Sequence, residues 1–274
     1  MIRLRNITYS YPNNKDLALK NLSLEIGEKE FLAIVGRNGS GKSTLARLLN
    51  GSLLPASGQV EVDGLDTAIR TNGVNIRKRV GLLLPVPDNQ LVSNIVEEDV
   101  AFGPENIGLA PDEIRYRVDT ALKMVSMEDY AKHPPYLLSG GQKQRIYIAG
   151  LLALRPKYMV LDEPSSMLDP RARAEVLKVL LEVKEKTGIA IILITHRLEE
   201  VLDADRIAIL EDGEIKIVAP PSGILHDTTY LREIGLEPLE ISVLIEHINK
   251  KCGSKIRSDI YKIDQLVEEL CLLQ

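Results

Sequence analysis

The sequence predicts an α/β fold on three observations: continuous apolar runs of strand length, segments of helical period between them, and glycine turns where the two meet. Phe31 to Val35 is an unbroken apolar run ending at Gly36, the pattern of a strand buried on both faces of a parallel sheet. Met159 to Leu161 and Ile189 to Ile194 repeat that pattern. Helical spacing over Pro111 to Met127, Gly141 to Leu154 and Pro170 to Lys186 separates the runs, as strand–helix alternation in a mostly parallel sheet requires. The earlier runs, Ile2 to Ile7 and Ala18 to Ile26, predict an antiparallel β layer attached to that core. Asp63-Gly64 and Asp212-Gly213, each flanked by β-branched residues, predict hairpin turns. Leu84 to Gly108, rich in Pro, Asn and acids, and His133 to Leu137 read as irregular. Pro220-Pro221 marks a boundary after Val218, so the expected division is a main α/β unit at 1–218 and a small helical region at 219–274.

Composition narrows the function. The chain has 274 residues, 45% hydrophobic and 27% charged, too apolar for disorder. With 34 Lys and Arg against 39 Asp and Glu, its net charge is −5, which offers no general attraction to nucleic acid. Nine Tyr, two Phe and no Trp make a base-stacking platform a poor expectation as well. The longest apolar runs, Tyr147 to Leu154 and Ile189 to Ile194, are far shorter than the roughly 20 residues that span a bilayer. The opening Met1-Ile2-Arg3-Leu4-Arg5 carries no secretory core, and Cys252 and Cys271 make no disulfide framework, so a cytoplasmic chain is expected.

The chemistry begins at Gly36. Residues Gly36, Arg37, Asn38, Gly39, Ser40, Gly41, Lys42 and Ser43 spell G-x-x-x-x-G-K-S directly after a buried strand and before a helical stretch that begins with Thr44. In a P-loop the glycines let backbone N–H groups wrap phosphate oxygens, and the following helix N-terminus favours the same negative charge. Lys42 is then the group for the β- and γ-phosphates, and the Ser43 hydroxyl a ligand for Mg²⁺. A chance glycine-rich turn would not carry both flanking elements. The motif alone defines a P-loop NTPase core.

Two further strand ends complete the expected site. Met159 to Glu163 reads M-V-L-D-E, and ligands bind at the carboxyl ends of parallel strands. Asp162 is therefore expected on Mg²⁺, and Glu163 on the attacking water. The third run ends in Thr195-His196, which would bring His196 beside the same phosphates.

Leu138 to Gln142 reads L-S-G-G-Q and is followed by Lys143-Gln144-Arg145. Coming after the P-loop and before M-V-L-D-E, this stretch resembles the signature of ATP-binding-cassette (ABC) ATPases. The resemblance implies that Ser139, Gly140, Gly141 and Gln142 contact the γ-phosphate held by a second subunit, in a head-to-tail pair with two sandwiched ATPs. It also implies an α-helical signature subdomain, at about 90–155. Ser166 to Asp169 matches the D-loop that crosses such an interface, and Tyr11 matches the aromatic that stacks on adenine.

Within that family, Pro87-Asp88-Asn89-Gln90, Val96 to Asn106 and the Ser-Met-Leu-Asp-Pro form at 166–170 resemble the ATPases of energy-coupling-factor (ECF) transporters and of cobalt or nickel uptake systems. The implied work is ATP-driven import of a vitamin or transition-metal ion at the cytoplasmic face of a membrane. The implied partners are a second ATPase subunit, an integral membrane scaffold and a small membrane substrate-binding subunit, with no nucleic acid. The tail is expected to make dimer contacts, and the acids Glu97, Glu98 and Asp99 to lie near the scaffold.

One residue departs from the family pattern. Where the Q-loop carries a glutamine that touches Mg²⁺ and water, this chain has Pro85, which offers no side-chain amide. The bland expectation is that hydrolysis tolerates the loss. The sharper one is an asymmetric heterodimer, in which this chain's own site is slow and its intact signature completes a companion's. A mainly regulatory nucleotide-binding subunit, and a soluble ABC ATPase unconnected to transport, are the alternatives. A chromosome-type ATPase is disfavoured because Ser43 and Ser139 stand too close for an intervening coiled coil.

Overall fold

The computed structural model describes residues 1–12, 16–85, 92–252, 256–257 and 259–272. The Pro87 to Gln90 motif lies outside them. Two sheets form the body. One is antiparallel, built from β1 (Ile2–Tyr9), β2 (Leu19–Ile26), β4 (Ser57–Val62) and β5 (Leu65–Asp66) in the order β2-β1-β4-β5. The other runs β10-β9-β3-β8-β7-β6, from β3 (Phe31–Val35), β6 (Val80–Leu83), β7 (Tyr158–Asp162), β8 (Ala190–Thr195), β9 (Arg206–Glu211) and β10 (Glu214–Ala219). Its inner pairs are parallel, and only β10 runs antiparallel, to β9. Both expected hairpins form, with Asp63, Gly64, Asp212 and Gly213 all at positive φ, as primed turns require.

The central strands bury both faces, and alternate side chains enter different cores. Ile191 and Leu193 of β8 face a core shared with α3 (Val96–Asn106), α4 (Pro111–Met124), α5 (Gly140–Ala153) and α6 (Pro170–Thr187). Ile192 and Ile194 face α1 (Lys42–Leu49) and the antiparallel sheet, and Ile76 of α2 (Gly73–Arg79) joins the same core. The C-terminal segment adds α7 (Thr228–Glu233), α8 (Glu240–Cys252) and α9 (Ile263–Leu272). Ile224, Leu225, Leu231 and Leu236 enter the first core, whereas Ile245, Ile256, Ile260 and Leu266 form a small core of their own.

The structure corrects one expectation. The stretch read as irregular from Leu84 contains α3, even with Pro104 inside it. No side chain caps this helix locally; its first N–H groups donate to loop carbonyls instead, Val96 to His133 (3.1 Å) and Glu97 to Ala131 (2.8 Å). With its cap supplied from so far along the chain, the helix start is marked locally by the first-turn acids Glu97, Glu98 and Asp99 without a capping side chain at Ile95. The acids Glu97, Glu98 and Asp99 of its first turn also have partners within this chain. Glu97 pairs with Arg115 at 3.0 Å, Glu98 accepts from the Ser93 hydroxyl at 2.6 Å, and Asp99 accepts from the Val92 and Ser93 amides at 2.7 and 3.3 Å.

Leu193 is fully buried on the central strand, so Leu193→Ala leaves a cavity that the close-packed neighbours do not fill. We expect chemical denaturation to report a loss of about 2–5 kcal/mol. A loss below about 1 kcal/mol would contradict this packing.

Candidate nucleotide site

Parallel register builds the site. Val35 of β3 lies opposite Thr195 of β8, and Asp162 of β7 lies opposite Ile194. The residues that follow these strands, Gly36, His196 and Glu163, therefore emerge at one sheet edge. Gly36 has no room for a side chain, since a Cβ there would stand 2.1 Å from the Leu210 carbonyl oxygen. Gly39 and Gly41 have φ of +85° and +104°, and a Cβ on Gly41 would also meet the Ala18 carbonyl at 2.5 Å. The loop curls tightly and delivers Lys42 to the start of α1.

Lys42 is 5% exposed. Its ammonium donates to the Gly36 and Arg37 carbonyls at 2.7 and 3.0 Å and lies 3.9 Å from Glu163 Oε1. Burial pulls its pKa below the ordinary lysine value, opposed by Glu163 and Asp162. Asp162 is fully buried, and burial raises its carboxyl above the usual range. The neighbouring Ser43 hydroxyl pulls the other way, although neither carboxylate oxygen closes a hydrogen bond of ordinary geometry with a described residue. A buried carboxylate left without a partner beside a hydroxyl is an oxygen donor set suited to a hard divalent cation that also takes phosphate ligands.

Glu163 follows Asp162 in a left-handed conformation, φ +48°. For a residue other than Gly or Asn this costs on the order of 1–3 kcal/mol, held here by its amide donating to Ile194 O at 2.8 Å. The turn brings Glu163 Oε1 to 3.1 Å from His196 Nδ1.

One cleft of about 380 Å³ is lined by Tyr11, Leu17, Ala18, Asn38, Gly39, Gly41, Lys42, Ser43, Thr44 and Glu163, with Asp16. Tyr11 is held edge-on against Tyr9 at 5.1 Å and shares a 3.0 Å hydrogen bond with Thr44 Oγ1. Ser40 is buried beneath the loop. A neighbouring cleft of about 330 Å³ takes in Arg37, Asn38 and His196, and Gly235 and Glu237 of the C-terminal segment line it as well. Sequence reasoning named neither Ala18 nor Glu237 for the site. The first contributes through its backbone, and the second comes from a stretch without a motif.

Ser139 to Gln142 lie elsewhere. Ser139 is the N-cap of α5: its hydroxyl accepts from the Gln142 amide at 3.3 Å, while Gln142 Oε1 accepts from the Ser139 amide at 2.9 Å. Ser139 and Gly140 are exposed, and Gly141 packs so closely that a Cβ would come within 2.8 Å of Ala172 Cβ. None of the four lines either cleft described above. Asp169 caps α6, accepting from the Arg171 and Ala172 amides at 2.9 and 3.0 Å.

A phosphate loop, two carboxylates and a histidine at one parallel-sheet edge, with a second glycine-bearing helix start exposed apart from them, define an ABC-type P-loop ATPase. The comparisons agree. The ABC transporter family model matches residues 19–166. The energy-coupling factor transporter ATP-binding protein EcfA of Syntrophomonas wolfei is 54% identical over 99% of both chains. Among solved structures, cbiO1 from Clostridium perfringens, described as part of the ABC transporter complex cbiONQ, superposes with a TM-score of 0.78 at 37% identity, over 89% of this chain and 98% of that one. A dimeric ATP-binding cassette in a post-hydrolysis state with ADP and Pi gives 0.72 at 31% identity, over 81% and 99%. This chain belongs to the ABC transporter family, among the ATP-binding proteins of energy-coupling factor transporters. It is an ATPase.

The raised carboxyl of Asp162 yields a stability prediction. Its folded pKa lies above the unfolded value, so the folded state holds the proton more tightly. Stability is then lost as pH rises through that window, and the ionised group opposes folding at neutral pH. In nucleotide-free protein at pH 7.5, Asp162→Asn should raise Tm by thermal denaturation. A lower Tm would contradict a buried charge whose burial outweighs the pull of nearby Ser43 and Lys42.

Proposed function

We propose that this chain is the ATP-hydrolysing motor of an ECF-type importer for a vitamin or transition-metal ion. It works at the cytoplasmic face of the membrane in a head-to-tail pair with a second ATPase subunit. The remaining partners are an integral membrane scaffold and a small membrane subunit that holds the cargo. No described helix is long and apolar enough to cross a membrane, so attachment through those partners fits the chain. The observation that carries the reading is the helix start at Ser139 to Gln142, where a capping box joins Ser139 and Gln142 and Ser139 and Gly140 are exposed, outside the cleft that holds Lys42. A helix start of this kind, set apart from this chain's own phosphate loop, suits a nucleotide held by another subunit.

In this reading the adenine stacks on Tyr11, and the phosphates take the loop from Gly36 to Thr44. Lys42 exchanges its two carbonyl acceptors for β- and γ-phosphate oxygens. Ser43 and Asp162 would hold Mg²⁺, which when bound neutralises charge on those oxygens. Glu163 orients the attacking water and accepts its proton, a contribution of roughly 10²–10⁴ in rate. His196, fixed against Glu163, steadies the γ-phosphate. Asp169 holds the interface loop by capping α6. The exposed Ile263, Val267 and Leu270 of α9 offer an apolar stripe for a dimer contact in the region 219–274.

Pro85 supports an asymmetric pair. It lies two residues beyond Leu83, whose register partner is Leu161, so it leaves the sheet alongside the strand that ends in Asp162. A side chain without an amide there slows this chain's own site, while Ser139 to Gln142 complete a faster site on a different ATPase. We expect Glu163→Gln in this chain to reduce transport less than the matching change in the companion, and Pro85→Gln to raise hydrolysis here. Equal losses from the two Glu→Gln changes, measured as uptake into proteoliposomes, would contradict the asymmetry.

A further inference from the structure

Glu200 lies outside every motif above, yet its side chain is fully buried. It sits four residues beyond His196, on the short 3₁₀ turn Leu198–Glu200. One oxygen, Oε1, accepts a hydrogen bond from the buried Ser165 hydroxyl. The same oxygen lies 3.7 Å from Arg173 Nε. The other, Oε2, has no partner among the described residues, and neither has Arg173 Nε. A buried carboxylate this incompletely paired is costly and persists where its position matters for something besides stability.

Its two neighbours lead to different parts of the molecule. Ser165 belongs to the turn that carries Glu163, closed by Ser166 N donating to Glu163 O at 3.2 Å and Leu168 N donating to Ser165 O at 3.1 Å. Arg173, in the first turn of α6, donates to the Leu168 carbonyl at 3.2 Å and so holds the loop before Asp169. Met167 in that loop is 77% exposed. Glu200 itself follows the strand end that presents His196, where Arg197 N donates to Thr195 Oγ1 at 3.0 Å. One buried carboxylate thus touches the segment of His196, the turn of Glu163 and the guanidinium that grips the exposed loop.

We propose that Glu200 is a positioning residue for hydrolysis, holding the Glu163–His196 pair in register through Ser165 and linking that register to the loop 166–169 through Arg173. This rests on the reading of Glu163 and His196 as the hydrolytic pair. The guanidinium lies too far from Oε1 for a hydrogen bond, so a small shift of the loop changes how it engages Glu200. Contact made at Met167 or Asp169 is in this way felt at Glu163. A displacement of about 1 Å is enough, because misplacement on that scale can cost roughly 10²-fold in rate.

The test uses the assembled transporter complex with every nucleotide site but this chain's blocked, and measures the saturating hydrolysis rate, ATP affinity and Tm. Glu200→Ala should lower the rate at least about tenfold with affinity within about twofold, since no ATP-binding group is touched. Glu200→Gln, which keeps an acceptor for Ser165, should recover part of that loss. Ser165→Ala, a smaller change should Glu200→Ala fold poorly, should lower the rate about threefold or more with the same constant affinity. An unchanged rate in Ser165→Ala, or losses that vanish when rates are expressed per folded chain, would overturn the positioning role. Glu163→Gln separates the two readings. If it hydrolyses normally, the hydrolytic pair and this inference both fall; if it is inactive while Ser165→Ala is unaffected, only this inference falls.

Discussion

Everything at the nucleotide site depends on the backbone ladder among three parallel strands. β3, β8 and β7 pair in a register that sets Val35 opposite Thr195 and Asp162 opposite Ile194, so the three strands end within one residue of each other although they are far apart in the sequence. Parallel strands present their next residues in the same direction, so a phosphate loop, a histidine and a carboxylate pair meet without any direct bonding among most of them. The continuous apolar character of these strands follows from the same constraint. With helices on one face and the antiparallel sheet on the other, no strand position here is free to be polar until the edge is reached.

What emerges at that edge is costly to the folded chain. Lys42 is buried with two carbonyls for company, the buried Asp162 carboxylate has no hydrogen-bond partner among the described residues, and Glu163 occupies a left-handed conformation. These are features a stability-optimised protein would lack, and they lie together at one sheet edge. In the proposed mechanism each has its use. The lysine and aspartate await phosphate and cation, and the left-handed turn aims the glutamate at His196. Glu200, buried behind the same turn, continues the pattern one layer further in.

Much of this was legible from local sequence because the relevant chemistry is local. The loop from Gly36 to Ser43 and the strand ends at Asp162 and His196 are short motifs whose flanking periodicity states their context. The helices α4, α5 and α6 follow expectation to within a few residues, since each begins at a proline or a capped serine. What escaped depends on distant partners. Helix α3 borrows its N-terminal acceptors from residues 131 and 133, so its first-turn acids stand without the capping side chain that would have marked the start. Glu97 looks like part of a free acidic face until Arg115, 18 residues on, is brought to it. Glu200 reads as one more acid in a charged stretch, because Ser165 lies in a different motif.

The central claim is that one chain supplies half of each of two nucleotide sites: its loop, carboxylates and histidine to one, its Ser139 to Gln142 to the other. The most direct measurement is a cryo-EM structure of the assembled complex held in the ATP state by Glu→Gln changes at position 163 and its counterpart. The account predicts that the γ-phosphate on Lys42 contacts a signature serine from the other ATPase subunit, while this chain's Ser139 contacts the nucleotide on that subunit. A γ-phosphate enclosed by this chain's own Ser139, or one that meets no second subunit, would contradict it.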